Sequence, residues 1–430
     1  APLRWLCMQA MVERYGGEVE VPLRRSACSA GRDPAAAPAG APAAQRPVER
    51  ARQMLEHELA VIGRLGLANY FLIVWDIVRF ARSQGIRCQG RGSAANSLVA
   101  YLLDITPIDP LLHDLVFERF LSAERPWQRM PDIDIDFDAL RREEVIQYVY
   151  ARYGRDHAAM ACTFVTFQQR SAIRDVGRAL AYPAELLDAL ASAADRVSLD
   201  EAWQDLRWTE DAVDRSPLAY TCTARRRKCP RNRQARVTAH RLPVTLPPSP
   251  QLLLDLCAEI HGLPRHLGIH NGGMVLCGPP LAEIMPLEPA TMAGRTVCQW
   301  DKEALEDAGL VKIDLLGLRM LSALEEACDV IEELTGQRPD LDRLTFDDAA
   351  VYDMLCRGDT IGCFQVESRA QAQLVPQFRP RCFADLVVEI SLIRPGPIQG
   401  NMVQPYLRRR WGKEPVAYLH PLLEPALAET

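Results

Sequence analysis

The chain has 430 residues, 48% hydrophobic and 25% charged, which is ordinary for a globular protein and long enough for about two to four domains with cores of their own. Its net charge of −6 excludes a protein that coats nucleic acid through overall positive charge, so any nucleic-acid binding must come from local basic surface or from metal ions. Thirteen cysteines are scattered without a CxxC pair, and no signal peptide or export signal is read, which points to a soluble, reduced, cytoplasmic chain.

The first composition shift is "AGRDPAAAPAGAPAAQRP" (Ala30–Pro47), rich in Ala and Pro without periodicity, and reads as a linker. After it, "VERARQMLEHELAVIGRLG" spaces Leu55, Leu59 and Ile62 as an amphipathic helix. The run "YFLIVWDIV" (Tyr70–Val78) is too short to span a bilayer and carries Asp76; it reads as a buried helix to about Arg82, closed by Gly85.

"GIRCQGRGSAANSLVAYLLDI" predicts a short strand, a Gly-rich turn and a helix starting near Ser93, whose N–H groups and positive end would receive an anion. Gly90, Gly92 and Ala95 formally fit the dinucleotide fingerprint G-x-G-x-x-G/A, so an NAD-binding oxidoreductase is the rival reading. Against it stand Arg91 inside the loop and the lack of a βαβ unit ending on an acidic residue: Asp109 falls in the turn "TPIDP". No Walker GK[ST] is present.

In "MPDIDIDF" (Met130–Phe137), Asp132, Asp134 and Asp136 alternate with Ile133, Ile135 and Phe137. The period of two predicts a strand with its carboxylates on one face and its apolar residues buried on the other. A solvated strand face is the bland reading. Like charges repel, however, and Asp is a poor strand former, so a hard divalent cation is the better account. "LRREEVIQYVYARYG" then reads as a helix capped by Gly154. Helices mixed with short strands point to an α/β or α+β domain.

Between about Arg207 and Pro250, clustered Arg and Pro without acidic residues or apolar period read as a disordered insertion or a stretch translated out of register, with a basic nucleic-acid arm as the alternative. Ordered sequence resumes with "LLLDLCAEIHGL". In "RHLGIHNGGMVL", His266 and His270 tempt a zinc reading, but the paired glycines suggest a loop feeding a strand, and no third ligand is near.

"GLVKIDLLGL" (Gly309–Leu318) predicts a second strand, with Lys312 and Asp314 on one face and Val311, Ile313 and Leu315 on the other. Beside the triple-Asp strand, Asp314 would be a third ligand and Lys312 a phosphate-facing ammonium. Three carboxylates holding two metal ions suit in-line phosphoryl transfer, one ion activating the attacking oxygen and the other steadying the leaving pyrophosphate. Near the end, Arg394 precedes a Pro-Gly-Pro turn. Arg408, Arg409, Arg410 and Lys413 form a basic cluster, usually a solvated face but also suited to a nucleotide or a DNA backbone.

Together, "GRGSAANSLVAYLLDITPIDP", "FERFLSAERPWQRMPDIDIDFD", "RHLGIHNGGMVL", "GLVKIDLLGLRML", "GCFQVESRAQ" and "LIRPGPIQGNMV" resemble, in order, the bacterial DNA polymerase III alpha-subunit family, the C-family replicative polymerases. The blocks from "FQVESRAQ" onward and the His-containing loop look most like the error-prone, damage-tolerant branch used in DNA repair and translesion synthesis. The resemblance covers most of the chain. It implies that Asp132, Asp134 and Asp314 are catalytic and bind two Mg²⁺ ions, with Mn²⁺ as a substitute, and that Asp136 belongs to the motif without an assigned role. It further implies that Arg91, Gly92 and Ser93 form the triphosphate loop, with Lys312 and Arg394 near the incoming nucleotide.

The family palm is similar to that of nucleotidyltransferases related to polymerase beta. That places a palm with a mixed sheet at 1–165 and 266–322, a helical thumb at 166–265 between them, and the start of helical fingers at 323–430. The partners implied are primer–template DNA, dNTPs, the sliding clamp and accessory mutagenesis proteins. "RCQGRGS" departs from the family's usual Gly-Pro before the loop, and the Arg/Pro stretch lies in the expected thumb. By the same comparison the chain lacks an N-terminal phosphoesterase-like domain and the later DNA-holding domains, so a non-catalytic remnant is the alternative reading.

Overall fold

The element order is α1 (Pro2–Tyr15), α2 (Pro47–Arg64), α3 (Ala68–Ser83), β1 (Cys88–Arg91), α4 (Leu98–Leu102), β2 (Asp134–Asp138), α5 (Arg142–Tyr153), β3 (Ala158–Thr166), α6 (Gln169–Ala179) and α7 (Ala184–Ala193). It continues with α8 (Pro250–Ile260), β4 (Pro264–Leu276), β5 (Leu287–Pro289), β6 (Thr296–Cys298), α9 (Lys302–Asp307), β7 (Lys312–Leu318) and α10 (Arg319–Thr335). The last elements are α11 (Ala349–Cys356), α12 (Arg369–Phe378), α13 (Phe383–Leu392), α14 (Pro395–Gln399) and α15 (Val403–Arg410). This is a computed structural model; the residues described are 2–16, 47–122, 131–194, 250–310, 312–341 and 344–424. The expected linker before residue 47, the Arg/Pro stretch at 207–249 and Val311 lie outside them. Among the described residues no single helix is long and apolar enough to cross a membrane.

The chain divides into two units, 1–148 with 314–430, and 149–313. In the first, β1 pairs antiparallel with β2, and β2 pairs parallel with β7 from Asp314 onward. The apolar alternation of the triple-Asp segment is buried as expected: Ile133, Ile135 and Phe137 are fully inaccessible, as are Leu55, Ile62, Phe71, Val74 and Ile77 from α2 and α3. At about 25 cal/mol per Å² of apolar area, burying these side chains is a main driving force holding β2 in place. Gly85, with φ +66°, ends α3 as the sequence predicts.

Helix α2 departs from a plain amphipathic pattern, because Glu58 lies fully buried between Leu55 and Ile62. The helices after β7 form two small cores, Tyr352, Leu355, Val366 and Val375 in one, and Leu374, Phe378, Leu392 and Leu407 in the other.

In the second unit, β3 pairs antiparallel with β4 and parallel with β6, and β5 pairs antiparallel with β6. A separate helical core joins α6, α7 and α8 through Ile173, Leu187, Leu190 and Leu253. Helices and mixed strand pairings together make an α+β protein with a helical C-terminal region. One expectation holds only in part. The segment around His266 and His270 belongs to the single strand β4, but Cys162 pairs with Ile269 and Met160 with Met274, so His270–Gly273, the paired glycines among them, form an irregularity in the pairing with β3. Four residues of strand separate the two Cα atoms by about 13 Å, and among the described residues neither histidine belongs to a group able to hold a metal ion. His270 Nδ1 instead accepts from the N–H groups of Gly273 (2.7 Å) and Gly272 (3.3 Å).

Candidate active site

Parallel pairing of β2 with β7 sets Asp134 opposite Asp314. Asp132 lies two residues earlier, in extended chain just before β2, and one carboxylate oxygen from each of the three lies within 4.8 Å of the others. The chain there is held from behind: Tyr70 on α3, buried, accepts the N–H of Ile133 at 2.9 Å, between the two aspartates. The oxygen-only donor set suits a hard divalent ion such as Mg²⁺ or Mn²⁺. Crowding shows in the acid chemistry. Burial, the hydrogen bond with Asp314 and the charges of Asp132 and Asp314 push the Asp134 carboxyl up to about 6, and Arg91 opposes them. A bound cation would relieve that repulsion. The donors fit the ion.

Asp136 does not join the three. It is buried, opposite Gln89 in β1 and Leu316 in β7, and its ion pair is with Arg91. Arg91 ends β1 opposite Asp134, half-exposed, with Nε 3.6 Å from Asp134 Oδ2 and 3.6 Å from Asp136 Oδ1. Gly90 before it donates its N–H to the Ile105 carbonyl at 2.5 Å, and an added Cβ would lie 2.7 Å from that oxygen, so no larger residue fits. Gly92 has φ +69°, the left-handed turn that sends the chain away from the sheet. Gly92 and Ser93 are exposed beside Arg91.

The helix after this turn differs from expectation. Gly92–Asn96 is a 3₁₀ turn, and the α-helix starts only at Leu98, capped by Ser97, whose Oγ accepts from Ala100 N at 3.1 Å. Its N-terminal donors are already engaged: Leu98 N and Val99 N donate to Glu58 at 2.8 and 3.0 Å, and Ser97 Oγ donates at 2.7 Å. The donors at the start of α4 are therefore taken by the protein's own carboxylate, and the expected anion seat there reduces to the turn at Gly92–Ser93 and Arg91. The dinucleotide reading fails on topology as well, since β1 and β2 run antiparallel where a βαβ unit needs parallel strands.

Lys312 is buried in β7, two residues before Asp314 and on the same face of the strand. Arg394 is exposed at the start of α14 and makes no ion pair among the described residues. The basic cluster is largely neutralised. Arg408 and Arg409 pair with Glu414 at 2.8 and 2.9 Å, and Arg410 turns inward to Asp385 at 2.8 Å and lies over the Phe378 ring. Sequence reading missed Glu58 and Tyr70. A charged residue at i+3 from Leu55 on an apolar helix face was a usable signal for Glu58; nothing local marks Tyr70.

The model of the bacterial DNA polymerase III alpha NTPase domain matches residues 2–317, and that of the finger domain of the same subunit matches residues 320–430. Curated relatives agree. A protein of Cutibacterium acnes named error-prone DNA polymerase is 50% identical over 380 residues, 88% of this chain and 30% of the relative. One of Mycobacterium bovis with the same name is 48% identical over 381 residues, 89% of this chain and 31% of the relative. A third, from Anaeromyxobacter sp. (strain K), is 48% identical over 394 residues, 89% of this chain and 32% of the relative. The chain thus spans about a third of the length of these relatives. With two family models covering nearly all of its residues in order, the chain belongs to the bacterial DNA polymerase III alpha family.

Proposed function

We propose that this chain carries the nucleotidyl-transfer centre of an error-prone DNA polymerase, acting in DNA repair and translesion synthesis by adding dNTPs to a primer 3′-hydroxyl. The observation that carries the reading is the meeting of one carboxylate oxygen each from Asp132, just before β2, Asp134 in β2 and Asp314 in β7, segments remote in sequence, within 4.8 Å. These three residues would hold two Mg²⁺ ions, or Mn²⁺ in their place. Bound there, the ions supply activation of the attacking hydroxyl and charge stabilisation of the leaving pyrophosphate.

The chain's own groups do the rest. Arg91, half-exposed, offers guanidinium donors to the triphosphate, with the turn at Gly92 and Ser93 beside it. Lys312 adds a fixed positive charge on the Asp314 strand, and Arg394 meets the nucleotide from the fingers. In this reading the palm comprises 1–165 and 266–322, the thumb 166–265 and the fingers 323–430. Primer–template DNA, a sliding clamp and accessory mutagenesis proteins are the partners, in the cytoplasm.

The test is Mn²⁺-dependent dNTP binding to the 430-residue chain, followed by calorimetry, together with primer extension in a protein of the relatives' full length. Both should be lost in Asp132→Asn and Asp314→Asn with the circular dichroism spectrum unchanged. Binding that survives either substitution removes the reading.

A further inference from the structure

We infer that Asp136 is the anchor of Arg91 rather than a metal ligand: it holds the guanidinium in place for the triphosphate while Asp134 is shared with the cation site. The inference rests on the proposed role of Arg91 in nucleotide binding and gives the third aspartate of the motif a task of its own.

Strand geometry separates the two acids. Residues i and i+2 of a strand share a face about 7 Å apart, so Asp134 and Asp136 sit at successive levels of the same sheet face. At the level of Asp134 the neighbours across the sheet are Arg91 on one side and Asp314 on the other. At the level of Asp136 they are Gln89 and Leu316. No second acid faces Asp136 from either strand, so that level cannot build a carboxylate cage, and the group of three converging oxygens leaves it out.

Burial demands a partner all the same. The Asp136 side chain is only 6% exposed, and a buried carboxylate without a compensating cation is costly. Among the described residues its ion pair is with Arg91, at 3.6 Å from Nε. Arg91 itself is 49% exposed. Its closest approach to each acid is through Nε, so the two terminal amino groups, with four N–H donors, are the ones assigned to a phosphate. Asp134 pulls on the same nitrogen from the same distance. Its carboxylate also belongs to the cation site, so its hold on Arg91 weakens whenever that site is filled. Asp136, outside the site, keeps its hold in both conditions. The motif therefore divides its labour, with the first two aspartates serving the metal and the third serving the arginine.

The experiment uses the 430-residue chain with Mn²⁺ titrated by electron paramagnetic resonance and a fluorescent dNTP titrated by anisotropy. Asp136→Asn should leave Mn²⁺ affinity within about twofold and weaken dNTP binding about tenfold, as Arg91→Gln does, whereas Asp132→Asn removes the Mn²⁺ signal. Asp136→Glu, which keeps the charge, should restore nucleotide binding to within about threefold. Loss of Mn²⁺ binding in Asp136→Asn overturns the inference, because it makes Asp136 a ligand.

A second readout needs no nucleotide: urea unfolding of Asp136→Asn, Arg91→Gln and the double variant. If the two residues are a pair, Asp136→Asn destabilises less once Arg91 is Gln, or even stabilises by removing an uncompensated buried charge; fully additive shifts overturn the pairing. A wild-type chain that binds Mn²⁺ but no dNTP would sink the polymerase reading while this cycle still decides the anchor. Should Asp136→Asn fail to fold, the neutral Asp136→Ser takes its place in the Mn²⁺ titration and in the cycle with Arg91→Gln.

Discussion

Replacing Glu58 by Ala tests how the turn beside Arg91 is held. Three donors point at this buried carboxylate, and each donor left without a partner costs about 1–3 kcal/mol. Removing the side chain also relieves a charge that burial disfavours. Burial, aided by the charge of Glu118, pushes the Glu58 carboxyl from its ordinary 4.5 up to about 7, against the pull of the three donors. A folded-state value above the unfolded one means that the group's stabilisation is fully present below pH 4.5 and is lost as pH rises through 7.

At about 1.4 kcal/mol per tenfold change in proton affinity, the total effect is about 3 kcal/mol, of which about 2.5 falls between pH 5 and pH 8. Glu58→Ala should therefore destabilise by about 4–5 kcal/mol at pH 5 and about 2 kcal/mol at pH 8. Urea unfolding followed by tryptophan fluorescence at the two pH values measures the difference. A destabilisation that grows with pH would refute the reasoning, since it would mean that the three donors outweigh burial and hold the folded carboxylate ionised. The same variant should weaken dNTP binding, because the chain between Arg91 and Ser97 loses its support.

Two further substitutions bear on the site and its surroundings. Tyr70→Phe removes the acceptor of the Ile133 N–H, costs about 1–3 kcal/mol, and should lower Mn²⁺ affinity several-fold with an unchanged circular dichroism spectrum; an unchanged Mn²⁺ titration would show that the segment from Asp132 to Asp134 stands without it. Arg410→Ala breaks a largely buried pair with Asp385 and should cost about 3–5 kcal/mol by thermal unfolding, yet leave the salt dependence of DNA binding unchanged. A shallower salt slope in that variant would return Arg410 to the nucleic-acid surface.

Much of the site was legible because strand alternation is a local property. Asp132 and Asp134 announced an acidic face, and Ile133, Ile135 and Phe137 a buried one, before any partner was known. Helix α3 was legible for a similar reason: an apolar run closed by a glycine that can take positive φ. The start of α4 was not. Gly-Ser-Ala-Ala-Asn can begin a helix at Ser93, and what moved the start to Leu98 is Glu58, forty residues away in the chain, binding the donors there. The paired glycines of the His266–His270 segment favour a turn locally, and they do interrupt the register with β3; what no local pattern shows is that β4 continues on both sides of them, paired with β3 through His266–Ile269 and Met274–Leu276.

Which residue types lie on which face of each strand is already written in the order of the residues, because side-chain direction in extended chain repeats every two residues whatever surrounds it. The sequence also carried the family's motifs in their order. Which acids meet depends on the pairing of distant strands. Register between β2 and β7 is a long-range choice, and a slip of one residue would turn Asp314 to the opposite face. The same register sets Asp136 opposite Leu316, apart from the three converging carboxylates, and the pairing of β1 with β2 brings Arg91 within 3.6 Å of it. Which acid stands beside which partner follows from packing and pairing between distant segments, which no local pattern encodes.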